Sequence, residues 1–222
     1  GRKAKLDMGG SFVGSTASAI KLTDGTLFST TDPSTSPLLT LNIPIGLQYR
    51  GNEASIQVQG SSLSVPNGET LALVGGNVSL DSASLLVPGG RVELGGLAGA
   101  GTVGLNLDGN HLRLSFPDNV ARAEVSLNHL TVVDVRADGT GSIDINVQNL
   151  NIAGQSKLQA GIQPRLDTTS NQSQGEDIEI NATGQINFTD GSFINNLVGL
   201  NAVGTGGDIN ITTGSLFVTK GS

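Results

Sequence analysis

The chain has 222 residues and a net charge of −7, and its 36% apolar share is mostly aliphatic, with no Trp, one Tyr and six Phe. The absence of Cys excludes disulfides, thiolate metal sites and thiol catalysis. No Lys/Arg stripe is present to neutralise phosphates, which argues against a nucleic-acid partner, and no apolar run approaches the roughly 18–20 residues of a spanning helix.

The N-terminal stretch shows no secretory signal, and its opening Gly1-Arg2-Lys3 reads as the start of an excised or processed fragment. From Lys5 the segment KLDMGGSFVGSTASAIKL alternates, with Leu6, Met8, Phe12, Ala17, Ile20 and Leu22 as its apolar positions. Residues 1–28 are expected to form the first coils of a repeating structure. The beat breaks in STTDPSTSPLLTLNIPIGLQY, where Pro33, Pro37 and Pro44 remove ladder donors. Residues 29–55 are therefore expected to be an excursion, a loop or an edge hairpin.

Between 56 and 94 the chain repeats apolar-any-apolar pairs: Ile56/Val58, Leu63/Val65, Leu71/Leu73, Val78/Leu80 and Val92/Leu94, with one more near 85. Alternation of period two marks a short strand with one buried face, and the Gly, Asn and Pro-Gly-Gly stretches between visits form turns. No segment sustains a helical period. Leu71 and Val92 are 21 apart, while Ile56 and Val78 are 22 apart. A triangular coil with one strand per side satisfies both spacings.

Residues 96–140 keep strand-like groups, Val103/Leu105, Leu112/Leu114/Phe116, Val125/Leu127 and Val132/Val133/Val135, which are assigned to coils with irregular turns. The beat then returns. Ile143/Ile145 leads to Leu150/Ile152, Ile178/Ile180 to Ile186/Phe188, and Ile209/Ile211 to Leu216/Val218. Self-similarity of this kind marks a solenoid, whose coils need neighbours to bury their faces. Long corner loops are expected at 160–175 and 196–207, where such a fold places variable function. Four residues past a second pair come Ser84, Ser156 and Ser192, a candidate serine ladder at one corner. The last copy stops mid-coil at Ser222, so the parent is expected to continue beyond it. Residues 56–222 are thus read as coils within a single domain, 1–222.

Candidate chemistry is sparse. His111 and His129 have no partners at ligand spacing and read as structural or surface residues. Asp24-Gly25, Asp138-Gly139 and Asp190-Gly191 read as turns, since no calcium-binding nonapeptide repeats. Arg91 and Glu93 share an outward face by parity and read as a solvent-exposed ion pair. Gly-rich GLAGAGTVG at 96–104 lacks the following helix that a nucleotide loop requires. No catalytic residue, metal site or cofactor is assigned.

The wording LDMGGSFVGSTASAIKL, IPIGLQY, LALVGGNVSL and PGGRVELG resembles the haemagglutination-activity domain of filamentous-haemagglutinin-type exoproteins, over most of residues 4–95 and then the looser repeat tail. These are the secreted partners of two-partner secretion systems in Gram-negative bacteria. The resemblance implies an all-β fold, a right-handed parallel β-helix with an extra-helical hairpin, read in passing by an outer-membrane transporter. The family's Asn-Pro-Asn-Gly motif, expected just before KLDMGG, is not in this chain, which suggests an N-terminal truncation. The leading reading is a non-catalytic secretion and folding-nucleus segment of a secreted, adhesin-like exoprotein at the outer cell surface, which meets a host or neighbouring cell through its parent. The alternatives are a β-helical polysaccharide-active enzyme, which requires Asp/Glu grouped with Lys/Arg on neighbouring coils, and a glycan-binding surface on the long loops.

Overall fold

The computed structural model describes residues 3–30, 43–108, 111–164, 173–219 and 221. They form strands and turns with no helix, and most of the strand pairing is parallel. Three parallel sheets of six strands each carry the body of the molecule. The first holds Ile56–Gln59, Val78–Asp81, Val125–Asn128, Leu150–Ile152, Gln185–Phe188 and Ser215–Val218. The second holds Lys5–Asp7, Ser62–Ser64, Ser84–Leu86, Val132–Asp134, Lys157–Ile162 and Phe193–Val198. The third holds Phe12–Ser15, Thr70–Gly75, Arg91–Gly96, Ser142–Val147, Ile178–Ala182 and Ile209–Thr212. From residue 56 the chain visits first, second and third sheet in fixed rotation, and each return adds a strand beside the last one laid down. This is a β-helix-like arrangement.

Register explains the spacing of the aliphatic pairs. Phe12, Leu71, Val92, Ile143, Ile178 and Ile209 stand in one column of the third sheet. Two residues on, Leu73, Leu94, Ile145, Ile180 and Ile211 form the parallel column of the same face. Ile56, Val78, Val125, Leu150, Ile186 and Leu216 form the first column of the first sheet. Its second is Val58, Leu80, Leu127, Ile152, Phe188 and Val218. In the second sheet the column is Leu6, Leu63, Leu85, Val133, Leu158 and Ile194.

Inward residues of all three sheets meet in one apolar core running from Val58 and Leu63 to Ile186 and Phe188, with Leu80, Leu94, Ile145 and Ile180 buried inside it. Three departures from the expected pairs stand out. Val65 is buried in this core, but it lies one residue past the strand Ser62–Ser64. It is therefore the first residue of a corner, with its N–H donating to Leu86 O at 3.4 Å, and not the second half of a strand pair. Ile56 is only partly buried, since its strand begins the first sheet and has a neighbour on one side. Ile209, Ile211, Leu216 and Val218 are exposed. Their strands also pair on one side only, so no further layer covers them among the described residues.

A separate sheet is antiparallel. Its strands lie in the order His111–Ser115, Ala100–Asp108, Pro44–Arg50, Ala19–Leu22 and Leu27–Ser29. Two expectations are corrected here. Ile20 and Leu22 belong to this sheet and not to a first coil. Val103, Leu105, Leu112 and Leu114 form an antiparallel hairpin and not the sides of a loose coil. The centre of the proline-bearing segment, with Pro33 and Pro37, lies outside the described residues.

The antiparallel sheet packs on the outer face of the third. Leu47, Tyr49 and Val103 join Ala72 and Val74, which point away from the main core, in a second apolar cluster with Ala17 and Leu97. Thr70–Gly75 and Arg91–Gly96 are consequently buried at every position, the pattern of strands covered on both faces. Tyr49 ties the layers together: its hydroxyl donates to Val74 O at 2.7 Å and lies 3.1 Å from Ser15 Oγ. Burial pushes the Tyr49 pKa up to about 12.

Candidate functional site

The corner between the first and second sheets carries the hydroxyl ladder, in a different set of residues from the expected one. Ser61, Ala83, Thr131, Ser156 and Ser192 each precede the second-sheet residues Ser62, Ser84, Val132, Lys157 and Phe193, which stand in one register column. Ser156 and Ser192 are in the ladder, whereas Ser84 is one residue out and Ala83 holds its place. Three backbone N–H groups donate to hydroxyls in the adjacent coil: Ala4 to Ser61 Oγ at 3.1 Å, Ala83 to Thr131 Oγ1 at 3.2 Å, and Ser156 to Ser192 Oγ at 3.1 Å. In turn Ser61 donates to Gln59 O, Thr131 to Asn128 O and Ser156 to Ala153 O. Ser61 and Thr131 do both, closing their own turns and satisfying a donor of the neighbouring strand, while Ser156 closes its turn and Ser192 supplies the acceptor for Ser156 N.

The slip at Ser84 comes from turn length. The corner before Ala83 holds one residue with positive φ, Ser82 at 51°. Those before Thr131, Ser156 and Ser192 hold two: His129 and Leu130, Gly154 and Gln155, Asp190 and Gly191. The shorter corner moves the inward position to Leu85, which is buried, and leaves Leu86 exposed.

The strongest electrostatic feature lies on the outer face of the third sheet. Outward positions of Arg91–Gly96, Ser142–Val147 and Ile178–Ala182 stack Glu93, Asp144 and Glu179 in one column, and place Arg91 beside Ser142 in the next. Their strand neighbours Val92, Leu94, Ile143, Ile145, Ile178 and Ile180 face the apolar core and hold these outward groups in register. Sequence parity puts Arg91 and Glu93 on the outer face, but the expected solvent-exposed pair is corrected: they are only 4% and 2% exposed. The hairpin covers them. Leu112 N donates to Thr70 Oγ1 at 3.1 Å and Leu114 N to Glu93 Oε1 at 3.3 Å.

Arg91 holds three carboxylates. One terminal nitrogen donates to Asp144 and lies 3.8 Å from Glu93, and the other lies 3.5 Å from Glu176. One guanidinium does not balance this group. Burial, reinforced by the charge of Asp144 and opposed by Arg91, pushes Glu93 up to about 8. Asp144 is pushed up to about 6, by burial first, with Arg91 opposing and Glu179 adding to the rise. Arg91 Nε and Ser142 Oγ are buried without hydrogen-bond partners among the described residues. Beside this group opens a cleft of about 450 Å³, closed on one side by Gln174 to Asp177 and on another by Arg113.

The other candidate residues are dispersed. The aliphatic pairs take no part in the cleft: those from Val58 to Phe188 line the interior of the stack, Ile56 is partly buried at one end, and Ile209, Ile211, Leu216 and Val218 lie exposed at the other. His129 is exposed, its Nδ1 2.9 Å from Asp81 Oδ1, and the side chain of His111 lies outside the described residues. Gly25, Gly139, Asp190 and Gly191 have positive φ, as turn residues do. Within 96–104 the strands Arg91–Gly96 and Ala100–Asp108 are joined by a short link. The expected loops start later than 160 and 196, since Lys157–Ile162 and Phe193–Val198 run on as paired strands, and beyond them Ser173–Gln174 pairs parallel to Gly204–Thr205. No group of three or more His, Cys, Asp or Glu among the described residues is placed to hold a metal ion.

Three parallel sheets, visited in rotation and flanked by an antiparallel sheet, define an all-β, β-helix-like protein. Residues 1–149 match the TPS secretion domain, and the chain belongs to that family, the haemagglutination-activity domain of secreted two-partner exoproteins. Neither curated proteins nor solved structures give a match. Membership assigns the chain to an exoprotein of Gram-negative two-partner secretion and implies an outer-membrane transporter as its partner.

Proposed function

We propose that the chain is a right-handed parallel β-helix that acts as secretion signal and folding nucleus of a larger, adhesin-like exoprotein displayed at the outer cell surface. The observation that carries this reading is the rotation of the chain through three sheets, with every return pairing in parallel on the strand before it. A growing edge of this kind templates the next strand, so each coil that emerges from a transporter gains its hydrogen bonds and its apolar neighbours as it docks. Such a step needs no nucleotide, and the stability gained on the far side opposes return through the pore. The aliphatic pairs are then structural, the antiparallel sheet is the extra-helical element, and the corner segments that follow the strands Lys157–Ile162 and Phe193–Val198 are the variable surface.

The test is export. Placed behind a secretory signal in Gram-negative cells, the chain should reach the medium only when a cognate transporter is co-expressed. Equal release without the transporter, or retention in the periplasm with it, would reject the reading.

One observation favours the enzymatic alternative: Glu93, Asp144 and Glu179 do stand with Arg91 on neighbouring strands. Against catalysis weigh the engagements of the two buried acids, Asp144 with Arg91 and Glu93 with Leu114 N. Incubation with neutral and acidic polysaccharides should leave chain length unchanged. Depolymerisation lost on Asp144→Asn would revive the enzyme.

A further inference from the structure

The cleft on the outer face of the third sheet has an unspent negative charge. Its walls carry four carboxylates, Asp144, Glu176, Asp177 and Glu179, against the guanidinium groups of Arg91 and Arg113. Arg91 is already committed to Asp144, Glu93 and Glu176, and Asp177 accepts a hydrogen bond from Asp208 N at 2.7 Å. Glu179 is exposed and forms no ion pair among the described residues. A second and independent observation lies on the floor. Ser142 is 3% exposed and projects from the same outward face as Asp144, yet its Oγ has no hydrogen-bond partner among the described residues. A buried hydroxyl left without a partner costs about 1–3 kcal/mol, and a ligand that supplies one recovers it.

We propose that this cleft binds an organic cation, an ammonium or guanidinium group carried by a linear polyamine or by a basic side chain. The charge excludes phosphate, sulfate and uronate ligands. The geometry disfavours a metal ion, since no three acidic groups converge on one point among the described residues. The volume of about 450 Å³ is far larger than an ion and lies in the range of sites for small organic molecules. In this pose the cation donates to Glu179 and Asp144 at the mouth and to Ser142 Oγ on the floor, and supplies the positive charge that Arg91 alone does not. Protons and the ligand then compete for the same carboxylates. The charged groups facing the cation are Arg91 and Arg113 on the repelling side, with Asp144, Glu176, Asp177 and Glu179 on the attracting side. Binding should therefore release protons and strengthen as pH rises from 5 to 8. The inference does not depend on the secretion reading, since the cleft would bind its ligand whichever route brings the protein out.

The test is titration calorimetry of the whole folded chain at low ionic strength, where screening is weakest. The probes are spermidine, the blocked tripeptide acetyl-Gly-Lys-Gly-amide, and magnesium chloride. We expect saturable binding of at least one organic probe, weakened about tenfold in Glu179→Gln and several-fold in Ser142→Ala, with proton release at pH 6–7. Binding of spermidine alone identifies a free polyamine as the source, and binding of the tripeptide alone identifies a basic side chain of a partner. Silence from both organic probes, equal binding of magnesium, or full affinity in either variant overturns the proposal. Both variants should fold: Glu179 is exposed, and Ser142→Ala removes a hydroxyl that has no partner among the described residues, so its melting temperature should hold or rise. That melting measurement separates loss of the site from loss of the fold.

Discussion

Glu93 and Asp144 are acids whose folded environment favours the protonated form, with pKa values of about 8 and about 6. Their unfolded values are near 4. A carboxyl with a raised folded pKa adds stability that is fully present below the unfolded value and is lost as pH climbs through the folded one. The contribution of these two groups should therefore decline from about pH 4 upward, and thermal stability should fall by several degrees between pH 5 and pH 8. Scanning calorimetry across that window checks this, and Glu93→Gln, which keeps the neutral shape, should flatten the upper part of the fall. A chain equally stable at pH 5 and pH 8 would mean that Arg91 fully neutralises the pair. At the corner, Ser192→Ala strips the acceptor from the buried Ser156 N–H and should cost about 1–3 kcal/mol, whereas Ser84→Ala should cost less than about 0.5 kcal/mol. Denaturant melts of the two variants decide between the ladder through Ser192 and one through Ser84. The offset of Ser84 was illegible in the sequence for a physical reason. Corners with one and with two left-handed residues both read as polar turn stretches, and Ser82-Ala83-Ser84 offers a serine at either register.

At the scale of elements, the alternating pairs between 56 and 94 and between 143 and 188 were legible because a buried strand face leaves a period of two whatever sheet it joins. Where a strand stops is less legible: Val65 keeps the period, yet the ladder ends at Ser64 and Val65 turns the corner with its side chain still inward. The antiparallel sheet was hidden by the same period. Val103/Leu105 and Leu112/Leu114 alternate like any coil side, and nothing in that pattern states whether the neighbouring strand runs parallel or antiparallel. The signal that could have separated them is two-sided burial. Ala72 and Val74 interleave with Leu71 and Leu73, so the run LALV is apolar on both parities and announces a second layer over the third sheet. That same cover hides Arg91 and Glu93, which parity alone sends to solvent. The layer is fastened by Tyr49, so Tyr49→Phe should leave Val74 O without its side-chain donor and cost about 1–2 kcal/mol. Hydrogen exchange should then quicken selectively in Pro44–Arg50 and Ala100–Asp108, while the ladder through Leu150 and Ile186 holds its protection. Uniform loss of protection across both would show that the antiparallel sheet and the parallel stack unfold as one unit.

Over the whole molecule, each strand of the parallel stack pairs only with the strands laid down before and after it in its sheet, so stability is dominated by local terms and the interfaces between successive layers. Interior positions have both interfaces. Leu158 stands between Val133 and Ile194 and is fully buried, so Leu158→Ala should cost about 2–5 kcal/mol. Leu216 has one ladder partner in its column among the described residues, Ile186, and is 48% exposed. Its truncation to Ala should cost under about 1 kcal/mol, although sequence periodicity gives the two leucines the same rank. Periodicity reports which face a residue belongs to, and burial depends also on whether a coil lies on each side, which is a property of position along the stack. Export driven by coil-on-coil docking turns this gradient into a functional one. Leu158→Ala weakens an interior docking step and should slow appearance in the medium by several-fold at constant synthesis, and Leu216→Ala should leave the rate near that of the unmodified chain. Pulse–chase measurement of both variants beside a cognate transporter gives the comparison. If the two are exported at the same rate, while melting still shows Leu158→Ala to be the less stable, then folding follows passage through the pore and does not drive it.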